Sequence, residues 1–131
     1  GGIRVELTQI GKLTFMIHFL IALSLGVIFF AIPEISTSLF AMPSEPFANR
    51  TVGALFIAFA MGSLFAYQKN NWEQSEIVVL MDIIWLILGL IGTIWSMTYI
   101  TMGMVVYLFI GLFVLLIALF GYTYYEAKMK V

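Results

Sequence analysis

One uninterrupted apolar stretch, residues 77–97, constrains this chain more than any other feature. Its sequence, IVVLMDIIWLILGLIGTIWSM, contains 21 residues and a single charged side chain, that of Asp82. About 20 consecutive apolar residues are what an α-helix needs to cross the hydrocarbon core of a bilayer. The stretch therefore predicts a transmembrane helix. A carboxylate inside it is a candidate functional residue, because placing a charge in lipid is costly.

The composition extends this prediction to the whole chain. Of its 131 residues, 63% are hydrophobic and 10% are charged, whereas a soluble domain usually has about 25% charged residues. A soluble domain of this size could not bury so much apolar surface. The lipid bilayer is therefore the expected medium. A net charge of −1 without a basic cluster argues against a nucleic-acid partner.

Four spans are predicted from the apolar runs, at about residues 13–32, 51–67, 77–97 and 101–125. The first run ends before Pro33, since proline cannot continue a helix. Residues 83–125 carry no charge and are too many for one crossing, so a break is predicted at residues 96–103, where hydroxyl and glycine residues cluster. The fold class is thus an all-α integral membrane four-helix antiparallel bundle, a single domain over residues 1–131. Residues 35–42 fit either a short surface helix or a plain loop.

The basic residues predict the orientation of the bundle. With four spans, both termini and the second loop share one side of the membrane. That side holds Arg4, Lys12, Lys69, Lys128 and Lys130, and the other holds only Arg50. Because loops rich in lysine and arginine stay in the cytoplasm, the N- and C-termini are expected to be cytoplasmic.

Small residues predict which helix faces pack. Helices in lipid associate largely through close backbone approach at glycine and alanine. In the second span such residues recur at four-residue spacing, on one face of the helix. The predicted packing residues are Ala54, Ala58, Gly62 and Ala66 in this span, with Gly89 and Gly111 in the third and fourth.

Two polar residues share one predicted depth in the membrane. His18 lies six positions after Lys12, and Asp82 lies six positions after Glu76. At 1.5 Å per residue, both lie roughly 9 Å below the same boundary. A contact between them would form either a structural clasp or a proton-binding element, because histidine titrates near neutral pH. The alternative is that each side chain is hydrated near the lipid headgroups.

Three further residues are candidates for ligand contact. Arg50 is the lone cation on its side, and it either snorkels to the interface or binds an anion. Thr93 and Tyr107 belong to the polar stripes of the third and fourth spans.

Several kinds of chemistry are excluded by composition. The chain has no cysteine and one histidine, which excludes disulfides, cysteine-ligated metal and bis-histidine haem within one chain. No catalytic or phosphate-binding motif is present, so we expect no enzyme activity, cofactor or metal.

The first half of the chain resembles a known group of membrane proteins. Pro33-Glu34 ends the first span, Phe40 and Pro43 follow in the outer loop, and residues 50–54 (RTVGA) open the second span. On these residues the sequence is similar to the DoxX-like and related small four-span membrane proteins of prokaryotes. The resemblance implies a prokaryotic plasma membrane. It implies no specific activity, because these families share no single function.

Three functional hypotheses follow. The first is a non-enzymatic protein that binds a small or lipid-like ligand within the bundle, with a proton link through His18 and Asp82. The second is an assembly or scaffold subunit that docks other spans, and the third is a small transporter working as a homodimer. The partners that these hypotheses involve are the bilayer, a lipophilic small molecule and further copies of the chain.

Overall fold

The residues that the structure describes form four long helices and one short helix. The computed structural model describes residues 5–41 and 45–130. Its helices are α1 (Gln9–Ala31), α2 (Ile35–Phe40), α3 (Pro46–Lys69), α4 (Trp72–Met97) and α5 (Val105–Lys130). All but α2 are long and apolar enough to cross a membrane. The prediction of an all-helical chain with four candidate spans is confirmed, while Arg4, Met42 and Pro43 lie outside the described residues.

The second long helix is longer than predicted at both ends. α3 begins at Pro46, and the Glu45 carboxylate caps it by accepting a bond from the Phe47 backbone N–H at 3.0 Å. It ends at Lys69 and α4 begins at Trp72, so the connection between the predicted spans 51–67 and 77–97 is only the turn Asn70–Asn71. Hydropathy identifies the part of a helix that lies in lipid, whereas caps and turn residues set where the helix ends.

The α4–α5 connection and the α1–α3 connection, which contains α2, both agree with the sequence pattern. α4 ends at Met97 and α5 begins at Val105, so the chain breaks where hydroxyl and glycine residues cluster. Of the two alternatives for residues 35–42, the helix is present, as α2.

α1 and α3 form the closest helix pair, and two glycines make their approach possible. A methyl group added at Gly53 would lie 2.6 Å from the Phe30 backbone nitrogen and 2.7 Å from the Gly26 carbonyl oxygen. One added at Gly26 would lie 2.9 Å from the Gly53 carbonyl oxygen. At Gly53 these atoms belong to the α1 backbone, and at Gly26 the Ile57 side chain at 2.8 Å and its backbone nitrogen at 2.9 Å obstruct the added group as well. The two helices therefore cross at a distance that only glycine allows.

The predicted packing ladder of α3 needs correction. Ala54 and Ala58 are exposed, and Gly53, Ala60, Ser63 and Ala66 are the buried residues. The ladder predicted only Ala66 correctly as buried; Gly62 is half-buried and faces Val78 of α4. Spacing alone leaves the rotation of a helix about its axis open, and the contact at Gly53 sets that rotation.

Of the other two predicted packing glycines, Gly89 contacts a neighbouring helix and Gly111 does not. A methyl group added at Gly89 would lie 3.0 Å from the Phe113 ring, so Gly89 lies against α5. Gly111 is exposed, and no neighbouring atom lies within 4 Å of the position of an added methyl group. Within the described part of this single chain, Gly111 therefore does not pack against another helix, contrary to the prediction.

Polar contacts tie one end of the bundle together. The Trp72 backbone N–H donates to the Val5 carbonyl at 2.8 Å, and the Leu7 N–H donates to the Asn70 side-chain oxygen at 3.2 Å. Lys128 and Glu76 form an ion pair at 3.2 Å. We call this the terminal end, because the N-terminal segment, the α3–α4 turn and the end of α5 meet there. The other end, with α2 and the α4–α5 loop, is the loop end.

Candidate functional site

His18 lies fully inside the bundle. It occupies the buried face of α1, one turn after Thr14 and one turn before Ala22. Its side chain is 1% exposed, and its ring meets the Phe120 ring edge-on with centroids 5.2 Å apart. The alternative of an imidazole hydrated near the headgroups does not fit this burial.

Asp82 approaches the same imidazole from α4. The residue is 1% exposed, and its Oδ2 lies 3.8 Å from His18 Nδ1. This distance fits an ion pair but is too long for a direct hydrogen bond. The structure thus brings together the two residues that the depth argument placed on one level. Asp82 Oδ2 itself has no hydrogen-bond partner among the described residues.

Ser63 completes the cluster from α3, and the sequence analysis did not identify it. Its hydroxyl lies 2.7 Å from His18 Nδ1, and the residue is fully buried. The alanine and glycine ladder predicted for this span does not include Ser63. A serine deep within an apolar span was the available signal, since such side chains often hydrogen-bond across helices in membranes.

These three residue types do not form a hydrolase triad. In a triad, serine and the acid bind opposite nitrogens of the imidazole, so that the ring can take the serine proton while the acid orients the ring and stabilises the imidazolium. Here the Ser63 hydroxyl and the Asp82 carboxylate both lie near Nδ1. The other nitrogen, Nε2, is buried and has no hydrogen-bond partner among the described residues. The geometry therefore fits a binding group better than a relay.

An aromatic cluster lies beside His18, towards the loop end. The Trp85 ring stacks on Phe59 at a centroid distance of 5.4 Å and an interplanar angle of 1°. Phe56 and Phe113 contact the same indole at 5.5 and 5.6 Å. The Trp85 indole nitrogen is also buried without a hydrogen-bond partner among the described residues.

A row of three neighbouring cavities extends from His18 to the loop end. The first has a volume of about 30 Å³, and His18, Ala22 and Trp85 are among the residues that line it. The second has a volume of about 210 Å³, and Phe56, Phe109 and Phe113 line both it and the first. A third, of about 420 Å³, lies at the α4–α5 loop and shares Met102 and Val106 with the second.

His18 lies at the closed end of this row. On its terminal side the bundle is filled by Phe15, Val79 and Phe120, none of which is exposed. Phe15 precedes His18 on α1 and Val79 precedes Asp82 on α4, each by one turn, and Phe120 lies on the antiparallel α5. These side chains close the terminal side of the imidazole, and the cavities lie on its loop-end side.

The other candidate residues lie outside the cluster. Thr93 lines the second cavity, but its hydroxyl donates to the Gly89 carbonyl at 2.7 Å. Tyr107 is 58% exposed and borders the third cavity. Arg50 is exposed within the first turns of α3, where the sequence analysis placed it just before a span. The structure brings none of these three to His18.

Searches with this chain found no matching family model, no matching curated protein and no matching solved structure. The resemblance to DoxX-like proteins therefore stays a prediction. No group of three or more metal-ligating side chains occurs among the residues that the structure describes.

Proposed function

We propose that this protein binds a small lipophilic ligand within its helical bundle, with His18 as the polar contact. The observation that carries the proposal is a fully buried histidine at the closed end of an apolar cavity, with one ring nitrogen left without a partner. A buried polar group without a hydrogen bond is costly, and a ligand that supplies one gains that free energy on binding. Apolar pockets with a few polar groups are typical of small-molecule sites.

Filling the first cavity is expected to abolish binding. Ala22 is buried and lines this cavity, so Ala22→Phe would occupy the space next to His18. Protein purified in a mild detergent should carry a lipophilic molecule that mass spectrometry detects after solvent extraction, and the Ala22→Phe variant should have lost it. The matched control is Ala118→Phe, because Ala118 is exposed on α5. Equal amounts of bound molecule in the two variants, both folded by circular dichroism, would count against the cavity as the binding site.

The cluster of His18, Asp82 and Ser63 also supports a link between ligand binding and protonation of the site. Among the described residues, Asp82 is the ionisable side chain within ion-pair distance of His18, while α3 contributes Ser63 and α5 contributes Phe120. A ligand that hydrogen-bonds to Nε2 changes the electrostatics of the imidazole and so the proton affinity of the pair. Binding measured between pH 5 and 8 should then depend on pH, and a flat profile would remove the proton from the proposal.

We propose further that the terminal end faces the cytoplasm. The lysine and arginine bias of the chain supports this orientation. The chain has no cysteine, so single cysteines can be introduced into a clean background. A membrane-impermeant maleimide should label Thr101→Cys in intact cells and Gln68→Cys only after permeabilisation; the reverse pattern would invert the orientation.

A second candidate function is that of an assembly subunit, and the outer surface supports it. Gly92, Gly111 and Gly121 have open space around them, and Ala54 and Ala58 are exposed. Such surfaces let another helix approach closely in lipid. Crosslinking of a Gly111→Cys variant into dimers or to a partner, in protein that lacks any extractable ligand, would favour this function over ligand binding.

A further inference from the structure

The space beside His18 limits the size of the group that binds there. A volume of about 30 Å³ holds roughly one or two water molecules. A hydroxyl or carbonyl group fits this space, whereas the phosphate of a phospholipid headgroup does not. The larger second cavity, of about 210 Å³, is lined by Phe29, Val52 and other apolar side chains and suits hydrocarbon.

The surroundings of Nδ1 determine what Nε2 can do. Ser63 Oγ lies 2.7 Å from Nδ1, and Asp82 Oδ2 lies 3.8 Å from it. An Nδ1–H would donate to the serine oxygen and direct its positive end towards the carboxyl oxygen, whereas a bare Nδ1 would set its lone pair against that oxygen. The proton of the neutral imidazole is therefore favoured on Nδ1. Nε2 is then a hydrogen-bond acceptor and needs a donor from the ligand.

We infer that the ligand is a single-chain lipophilic alcohol whose hydroxyl donates to His18 Nε2. Its hydrocarbon chain lies in the second cavity and is directed towards the loop end, since Phe15, Val79 and Phe120 fill the terminal side. About 16 Å separate the level of His18 from that of Phe29, because eleven helical residues rise 1.5 Å each. This inference rests on the proposed function and specifies its ligand.

The single histidine of the chain makes a direct test available. Untagged protein labelled with ¹⁵N-histidine in phospholipid nanodiscs gives the imidazole nitrogen signals of His18 alone. Without added ligand, Nδ1 should show the shift of a protonated nitrogen and Nε2 that of a bare nitrogen. Dodecan-1-ol should move the Nε2 signal, and dodecane at the same mole fraction should leave it in place.

The affinities of matched probes separate this inference from the proposed function. Dodecan-1-ol should bind about tenfold more tightly than dodecane or 2-dodecanone, as expected for one buried hydrogen bond. The His18→Phe variant should lose this preference. Thr14→Val should keep it, because Thr14 is buried one turn away and its hydroxyl donates to the Ile10 carbonyl.

Three results would contradict an alcohol as the ligand while leaving the cavity as a ligand site. They are a proton on Nε2, tighter binding of 2-dodecanone than of dodecan-1-ol, or equal binding of dodecan-1-ol and dodecane. If none of the three probes binds or perturbs the His18 signals, the proposed function itself fails for single-chain lipophiles.

Discussion

Replacing Gly53 with alanine is expected to lower the free energy of unfolding by about 3 kcal/mol, at the upper end of the usual cost of overpacking. The added methyl group would lie 2.6 Å from the Phe30 backbone nitrogen and 2.7 Å from the Gly26 carbonyl oxygen. Both atoms belong to the α1 backbone, so no side-chain rotation relieves the clash and α1 must move away from α3. That movement would also separate His18 from Ser63, which bridge the same two helices.

The control for this experiment is Gly111→Ala. No neighbouring atom lies within 4 Å of the methyl group in this variant, and alanine favours the helix over glycine. Its free energy of unfolding should stay within about 0.5 kcal/mol of the parent chain or rise. Reversible unfolding in mixed micelles measures both variants. Similar losses in the two would mean that the loss at Gly53 does not come from its contact with α1 at the helix crossing.

The largest effect at the site is expected from separating His18 and Asp82. His18→Ala would remove a fully buried ring and leave the Asp82 carboxyl group without the nearby imidazole, and a truncation of this size in a packed interior costs about 3 kcal/mol. Asp82→Asn replaces the carboxyl group that the imidazole faces with an amide. Because the two groups interact, the double variant should lose about 1–2 kcal/mol less than the two single losses added together.

A second cycle serves as the control for this coupling. Thr93 lies on the same helix as Asp82, eleven residues or roughly 16 Å further along. The losses in the free energy of unfolding caused by His18→Ala and by Thr93→Val should therefore add to within about 0.5 kcal/mol in the double variant. If His18 and Asp82 also behave additively, their proximity has no energetic meaning and the proton link loses its basis.

Ser63 illustrates the limit of reading a span residue by residue. The alanine and glycine ladder was assigned from a spacing of four, and it selected Ala54 and Ala58, which are exposed. The buried residues Gly53, Ala60 and Ser63 lie on an adjacent face. Consecutive residues of an α-helix are separated by about 100° of rotation about its axis. An error of one position is therefore enough to predict an outward-facing residue in place of the one that contacts His18.

The depth of a residue was more predictable than its direction. His18 and Asp82 were assigned to one level because each lies six residues after a charged residue at the same end, and the two side chains meet. Rise per residue is constant along an α-helix, so a nearby charge fixes depth. Direction around the axis depends on which neighbour a helix packs against, and that neighbour lies far away in the sequence.

The amino-acid sequence alone predicts four helices that are long and apolar enough to cross a membrane, and a common level for the histidine and the acid. These follow from hydropathy and from helix rise, which are local properties of the chain. The tertiary structure alone decided that α1 crosses α3 at Gly26 and Gly53, that Ser63 joins His18, and that phenylalanines close one side of the cavity while the other stays open. Those outcomes depend on steric fit between segments 27 to 105 residues apart in the chain, and no local pattern records that fit.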